Sequence, residues 1–303
     1  MAVRRAPVTP LAPALAEPAY AKVNLTLHVL GRGADGYHLL ESLVCFASVG
    51  DRVELRPGVP LDLRVGGPTA PQAGAIDDNL VLRAARALAR RAPSLALGRF
   101  TLTKRLPVGA GLGGGSADAA AALRLLARAN RLPSDDPRLQ EAAREVGSDV
   151  PVCLESLPRW MSGTGHDLSA PVTMPKLFAV LAHPAVPLAT RDVYGELGAP
   201  VASPEAVGAS LPAVPPGRRD FLAFIAAHGN DLEAPAFRLA PIVEDVLAVL
   251  REQPACVLAR MSGSGSTCFA VFATRSAAAL AARALADDHP TWWIRATELG
   301  PPQ

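Results

Sequence analysis

The sequence predicts an α+β protein in two lobes, and three observations carry that reading. Stretches with the period of two that marks a half-buried strand are mixed with stretches of helical spacing, without regular strand–helix–strand alternation. A run holding five glycines, Pro107 to Ser116, stands between a strand pattern and a strong helix pattern. Beyond about residue 160 the grammar changes, and five prolines fall between Ala199 and Gly217, a stretch that reads as an exposed connection. The expected division is a ragged N-terminus over residues 1–18, an N-terminal lobe over 19–160 and a C-terminal lobe over 161–303.

In order, Val23, Leu25, Leu27 and Val29 alternate with polar residues and predict a strand, followed by a Gly- and Asp-rich turn from Gly31 to His38. Asp51–Leu55 and Leu61–Val65 predict two more strands. Asp77-Asp78 is placed to cap a helix carrying Leu80, Ala84, Ala87 and Leu88. Phe100–Leu106 predicts a strand, Ala119–Ala129 a helix, and a further helix ends near Val146. Gly147-Ser148-Asp149-Val150-Pro151 is expected to leave regular helix because of its proline. In the second half, Leu177–Ala182, Cys256–Met261, Cys268–Ala273 and Trp292–Leu299 predict strands, and Ile242–Leu250 and Ser276–Ala286 predict helices.

The chain has 303 residues, of which 50% are apolar and 19% charged, so a large core can form. A net charge of +2 with no long basic run calls for neither a nucleic-acid nor a membrane partner. No apolar stretch approaches the roughly 20 residues that span a bilayer, and Pro7, Pro10 and Pro13 interrupt the N-terminal segment where a signal peptide needs continuity. Cys45, Cys153, Cys256 and Cys268 are too far apart for a zinc pattern and read as free thiols of a cytoplasmic protein.

The glycine run carries the chemistry. Gly109, Gly111, Gly113, Gly114 and Gly115 clear side chains from a short segment, so backbone N–H groups can approach an anion at the positive end of the helix that follows. Ser116 adds a hydroxyl toward phosphate or a metal ion. No Gly-Lys-Ser/Thr follows, which excludes the Walker pattern, and the acidic residue of a dinucleotide fingerprint is absent. The competing reading is a flexible turn. A second small-residue loop, Ser262–Thr267, lies between two strands; alone it suits a hairpin turn equally well, and with the first it suggests two walls around a triphosphate. Lys22, Asp149, Tyr37-His38 and Asn230-Asp231-Leu232-Glu233 each have an ordinary explanation taken singly: a strand-end charge, a turn residue, a surface turn and a helix cap.

Taken together, these blocks resemble the GHMP kinase superfamily, which includes galactokinase and the homoserine, mevalonate and phosphomevalonate kinases. The matching blocks are Ala21–Val29 continuing to Glu41-Ser42-Leu43, Leu106–Ala122, Gly147–Pro151, Asn230–Glu233 and Met261–Gly265, in family order over roughly residues 19–273. Asp35-Gly36-Tyr37-His38 after Lys22-Val23-Asn24 points to the branch that phosphorylates the 2-hydroxyl of a methylerythritol bearing cytidine diphosphate. The resemblance implies an N-terminal ATP-binding lobe, a ferredoxin-like C-terminal lobe, ATP with Mg2+ as cofactor, and a monomer or weak homodimer acting on a small molecule. By matching position it implies Asp149 as the base and Lys22 as its partner. Asn79, Lys104, Pro107, the five loop glycines and Ser116 would hold ATP. Asn24, Tyr37, His38, Thr190, Tyr194, Gly263 and Gly265 would meet the substrate, with Tyr37 and Tyr194 on the cytosine. The chain departs from the family at Tyr20, Gly33, Ala117 and His166, the last standing where an acid is usual. Two rivals remain, a sister kinase for mevalonate or homoserine and a nucleotide sensor without turnover. The paired Tyr37-His38 argues against the first and the presence of Lys22 and Asp149 against the second.

Overall fold

The computed structural model describes residues 13–33, 36–202 and 211–301. The elements run β1 (Leu15–Asn24), β2 (His28–Arg32), β3 (His38–Pro57), β4 (Asp62–Gly66), α1 (Leu80–Arg91), β5 (Gly98–Thr103), α2 (Gly114–Ala129), α3 (Pro137–Val146), α4 (Val150–Glu155), β6 (Arg159–Gly163), β7 (Asp167–Leu168), β8 (Leu177–His183), α5 (Thr190–Leu197), α6 (Arg218–Ala227), α7 (Glu233–Leu239), α8 (Ile242–Arg251), β9 (Cys256–Met261), β10 (Cys268–Phe272), α9 (Arg275–Asp288) and β11 (Trp293–Gly300).

The 20-residue strand β3 organises the sheet. It pairs antiparallel with β1, β2, β5, β6 and, at its middle, β11. The main path is β4-β5-β3-β11-β8-β10-β9, so one sheet runs through both lobes. In the C-terminal lobe the spatial order β11-β8-β10-β9, with helices on the two crossovers, is the ferredoxin-like arrangement. The expected α+β class with this C-terminal lobe is therefore what the chain forms.

Each lobe has its own core. The N-terminal core packs the alanine-rich α2 and the buried faces of α1, α3 and α4 against Phe46, Leu55 and Phe100 of the sheet. The C-terminal core packs Val243, Val246, Leu247 and Leu250 of α8 against Met261, Ala270 and Phe272. A third cluster, with Leu25, Leu106, Leu112 and Phe269 among its buried side chains, joins the two. All four cysteines are free thiols, and burial pushes Cys153 up to about 12.

Several local expectations change. The predicted Val23–Val29 strand is two strands. The chain leaves β1 at Leu25–Leu27, where Thr26 Oγ1 accepts the Leu43 amide and the Leu25 amide donates to Leu43. Leu15–Pro18, expected to be ragged, are the first part of β1 and pair with Leu55–Arg52. Asp77-Asp78 form a single 3-10 turn, and the cap of α1 is Asn79, whose side chain accepts the Val81 amide at 3.0 Å. β5 stops at Thr103, short of the expected Leu106, and α2 begins at Gly114 instead of Ala119. Pro151 sits in the first turn of α4, where its missing N–H costs nothing, and so starts a helix instead of preventing one. Asp35 of the turn and Pro204 of the proline-rich stretch lie outside the described residues.

Candidate active site

A cavity of about 1010 Å³ opens where the glycine loop, the Ser262–Thr267 loop and the β2–β3 turn converge. Its lining includes Lys22, Asn24, Tyr37, His38, Asn79, Lys104, Pro107, Gly109, Gly111, Gly113, Gly114, Gly115, Ser116, Asp149, Thr190, Tyr194 and Gly263. Gly265 alone of the expected residues is not on this wall. It stands behind it, against Met261 and the backbone at Gly111.

The centre of the cavity is an ion pair, Lys22 Nζ to Asp149 Oδ2 at 2.8 Å. The Lys22 side chain is 7% exposed and that of Asp149 29%. Two local devices aim these groups. The β1–β3 register shifts between Tyr20 and Lys22, and such a bulge re-aims the next side chain. Asp149 begins α4 without capping it, so its carboxylate is left to meet Lys22. Gly113, at φ +60°, lies between the pair and the loop. A Cβ there would sit 3.3 Å from Lys22 Cβ and Cε and 3.5 Å from Asp149 Oδ2.

The glycine loop and the second small-residue loop are interlocked. Ser262 Oγ donates to the Gly111 carbonyl at 3.1 Å and accepts the Asn24 amide at 3.1 Å. The Thr267 amide donates to Ala110, and the Lys22 amide to Leu112 at 2.9 Å. A Cβ on Gly111 would collide with the Ser262 carbonyl oxygen, so the close approach requires glycine. The first-turn amides of α2, at Gly114, Gly115 and Ser116, face the cavity at the positive end of a 16-residue helix.

Two buried oxygens at the cavity wall have no hydrogen-bond partner among the described residues. Asn24 Nδ2 donates to Ser42 Oγ at 2.7 Å, while its buried Oδ1 has no hydrogen-bond partner. Asp118 Oδ1 is likewise buried without one. Asp118 and Asp51 together hold Lys104, at 2.8 and 2.5 Å. Burial works against the Lys104 ammonium, but attraction to Asp118 and Asp51 overrides it and raises its pKa. Burial beside Asp51 pushes Asp118 up to about 7, against the pull of Lys104. One cation between two buried acids leaves one acid in surplus, which accounts for both directions.

The far wall is aromatic. Tyr194 of α5 packs against His38 with ring centres 4.7 Å apart at 38°, and burial, then Asp149, raise its phenol pKa. Burial and Arg32 lower the pKa of His38. Tyr37 is 68% exposed at the rim. Thr190 Oγ1 lies 3.0 Å from Ser264 Oγ and ties α5 to the second loop.

Sequence reasoning did not find Asp51 or Asp118; it placed Ser262 in the second loop without a role of its own, and read Asn230 as a cap within a block that matches the family. Asn230 does accept the Leu232 amide as a cap does, but its Nδ2 also donates to the carbonyls of Met261 and Gly263 at 2.9 and 2.8 Å, and so holds the second loop. One signal was readable: Asp118 is a lone acid in the run Ala117–Ala122.

Comparison with known proteins gives the family. Residues 79–156 match the model of the GHMP kinases N terminal domain and residues 218–290 that of GHMP kinases C terminal. A 4-diphosphocytidyl-2-C-methyl-D-erythritol kinase of Methylobacterium radiotolerans is 55% identical over 288 residues, covering 94% of this chain and 99% of the relative. The chain belongs to the 4-diphosphocytidyl-2-C-methyl-D-erythritol kinase family of GHMP kinases. A family member from Rhodopseudomonas palustris is 53% identical over 292 residues, with 94% and 97% covered. The crystal structure of a 4-(cytidine 5'-diphospho)-2C-methyl-D-erythritol kinase superposes with a TM-score of 0.74 at 33% identity, covering 94% of this chain and 99% of that one. Among the described residues no helix is long and apolar enough to cross a membrane.

Proposed function

We propose that the protein transfers the γ-phosphoryl group of ATP to the 2-hydroxyl of 4-diphosphocytidyl-2-C-methyl-D-erythritol. The observation that carries this reading is the Lys22–Asp149 pair, set at 2.8 Å between the phosphate loop and the aromatic wall.

Phosphoryl transfer needs an in-line hydroxyl, a neutralised triphosphate and a destination for the hydroxyl proton. Asp149 orients the tertiary hydroxyl and accepts its proton as the new O–P bond forms. Lys22 holds Asp149 in place and offsets charge on the transferred group. The amides of Gly114, Gly115 and Ser116 receive phosphate oxygens. Asn24 lines the cavity two residues beyond Lys22 and would help hold the substrate near the reacting phosphate. Asn79 and Lys104 border the nucleoside end. Tyr37 and Tyr194 bracket the cytosine, and His38 and Thr190 lie at its edge.

Among the described residues no group of three or more His, Cys, Asp or Glu side chains could cage a metal ion. Mg2+ carried by a triphosphate keeps several waters and needs only one or two protein oxygens. The Ser116 hydroxyl, on the cavity wall at the start of α2, would fit that role, in which the metal would neutralise phosphate charge. A cytoplasmic monomer or weak homodimer completes the reading.

The test is ADP release with a panel: the cytidyl compound, mevalonate, homoserine and galactose. Turnover is expected with the cytidyl compound alone. Equal or better turnover with mevalonate would overturn the assignment.

A further inference from the structure

A second cavity, of about 590 Å³, lies on the other side of the Lys104 ion cluster. It exists because β3 and β11 pair only at Ala47–Leu299 and Phe46–Gly300. Beyond that point β3 turns to β1 and β5 while β11 follows β8, and a wedge opens between them. Ser48 closes its apex, lying 2.9 Å from Thr297 Oγ1 and accepting the Glu298 amide at 3.1 Å.

The wedge is lined by Arg52, Arg105, Arg295, Tyr20 and Trp293, with Asp51 buried at its floor. Its two acids are already engaged from outside it: Asp51 by Lys104, and Glu17 by Arg124 and Arg128. Arg52 has a solvated partner in Glu54, whereas Arg105 and Arg295 make no ion pair among the described residues. The Arg105 and Arg295 guanidinium groups therefore give the wall of the wedge two cations without an acidic partner of their own among the described residues, above a floor where Lys104 is shared between Asp51 and Asp118. The wedge is also pre-set. Trp293 Nε1 donates to the Arg105 carbonyl at 2.9 Å, and the Arg295 guanidinium lies 5.4 Å from the centre of the same indole.

We infer that this wedge binds a diphosphate-bearing anion and that its occupancy is felt at the nucleotide cavity through Asp51. Guanidinium forks match phosphate oxygens in pairs, and two to three of them suit a diphosphate better than a single charge. The connection is short. Asp51 Oδ1 accepts the amides of Arg105 and Leu106 at 2.5 and 2.9 Å, and Oδ2 holds Lys104, which lines the nucleotide cavity. Leu106 is followed directly by Pro107 of the phosphate loop. An anion that draws on Arg105 therefore pulls at the root of that loop.

The probes are inorganic pyrophosphate and ADP, titrated calorimetrically into protein whose active site is already filled with a non-hydrolysable ATP analogue. Pyrophosphate is expected to bind once per chain with a Kd below about 1 mM. ADP binding equally well would mark the nucleotide's own tail as the source of the ligand. Arg105→Gln and Arg295→Gln are each expected to weaken binding about 10-fold or more, the loss of one charge-assisted bond, with basal kcat unchanged. Saturating pyrophosphate should shift the KM for ATP by about 2-fold or more, an effect both variants lose. No saturable binding to the filled protein, or binding indifferent to both substitutions, overturns the site. Binding that leaves the KM for ATP unmoved overturns the coupling. Only that last measurement rests on the proposed reaction, so failure of the site and failure of the reaction are told apart.

Discussion

Asp149→Asn separates the chemistry of the ion pair from its contribution to stability. The substitution keeps the size of the side chain and removes its capacity to take a proton. Loss of a general base lowers kcat by about 10²- to 10⁴-fold, or about 3–5 kcal/mol of transition-state free energy. The structure adds a second effect of opposite logic. Lys22 is 5% exposed, so Asp149→Asn strands a buried ammonium without its carboxylate. Breaking a fully buried pair costs about 3–5 kcal/mol, but Asp149 keeps 29% of its side chain in solvent, which screens the pair, so a loss of about 1–2 kcal/mol is expected. Lys22→Met should also cut kcat severely. In the double variant the two quantities should part. Its kcat should be little worse than that of either single variant, because the pair acts as one unit, while its stability should exceed that of Asp149→Asn, because the stranded charge is gone. Steady-state kinetics, denaturant titration and calorimetric ATP affinity on the three variants read all of this, and ATP affinity should change little. A near-normal kcat in folded Asp149→Asn would remove Asp149 from the chemistry and leave positioning to explain catalysis.

Tyr194→Ala should raise the KM for the cytidyl substrate about 5- to 150-fold with kcat less affected, the value of one base–aromatic stack; an unchanged KM would exclude stacking there. Gly113→Ala forces a side chain into a left-handed turn against Lys22, and a 10- to 100-fold fall in kcat, roughly the effect of a small misplacement, should follow without loss of the fold. Asp118→Asn should alter stability against pH in a defined direction. Its folded pKa, raised from 3.8 to about 7, gives a contribution that is full below about 4 and lost as pH rises through about 7, so the variant should show a flatter stability profile over that window by thermal melting.

How much of this was legible in sequence follows from how far apart the partners stand. The phosphate loop was readable because its parts, a strand end, glycines and a helix start, are contiguous. Lys22 and Asp149 needed the family resemblance, since nothing in their own neighbourhoods distinguishes them from a strand-end charge and a turn acid. The Lys104 cluster was not readable, because Asp51 is 53 residues and Asp118 14 residues from the lysine they hold. Strand Leu15–Pro18 was missed because Pro18 and the mixed polarity of the segment hide a pattern that only pairing with β3 imposes. Helix α5 was missed because its eight residues bury one side chain, Val193. The position of Pro151 was misread for a different reason: proline breaks helix interiors but is favoured at their first turn, and composition alone does not say which applies.

The interlocking of the two small-residue loops explains why the site needs both lobes. The phosphate loop grows from the N-terminal lobe, yet its carbonyls at Ala110 and Gly111 are held by Thr267 and Ser262, and the Leu112 carbonyl by the Lys22 amide. Ser262 in turn receives the amide of Asn24, two residues beyond Lys22 on β1. The strand that supplies Lys22 and Asn24, the loop for phosphate and the loop from the C-terminal lobe are thus fixed to one another by backbone hydrogen bonds and by the buried Ser262 hydroxyl. Such bonds are costly to leave unmade, so the three segments hold one mutual geometry. Asn230 and Glu233 extend the same logic outward, holding Met261 and Gly263 from α7 and the turn before it. The Lys22 ammonium is therefore positioned by the β1 bulge behind it, by the absence of a side chain at Gly113 beside it, and by a C-terminal loop that holds the phosphate loop to which the Lys22 amide is bonded.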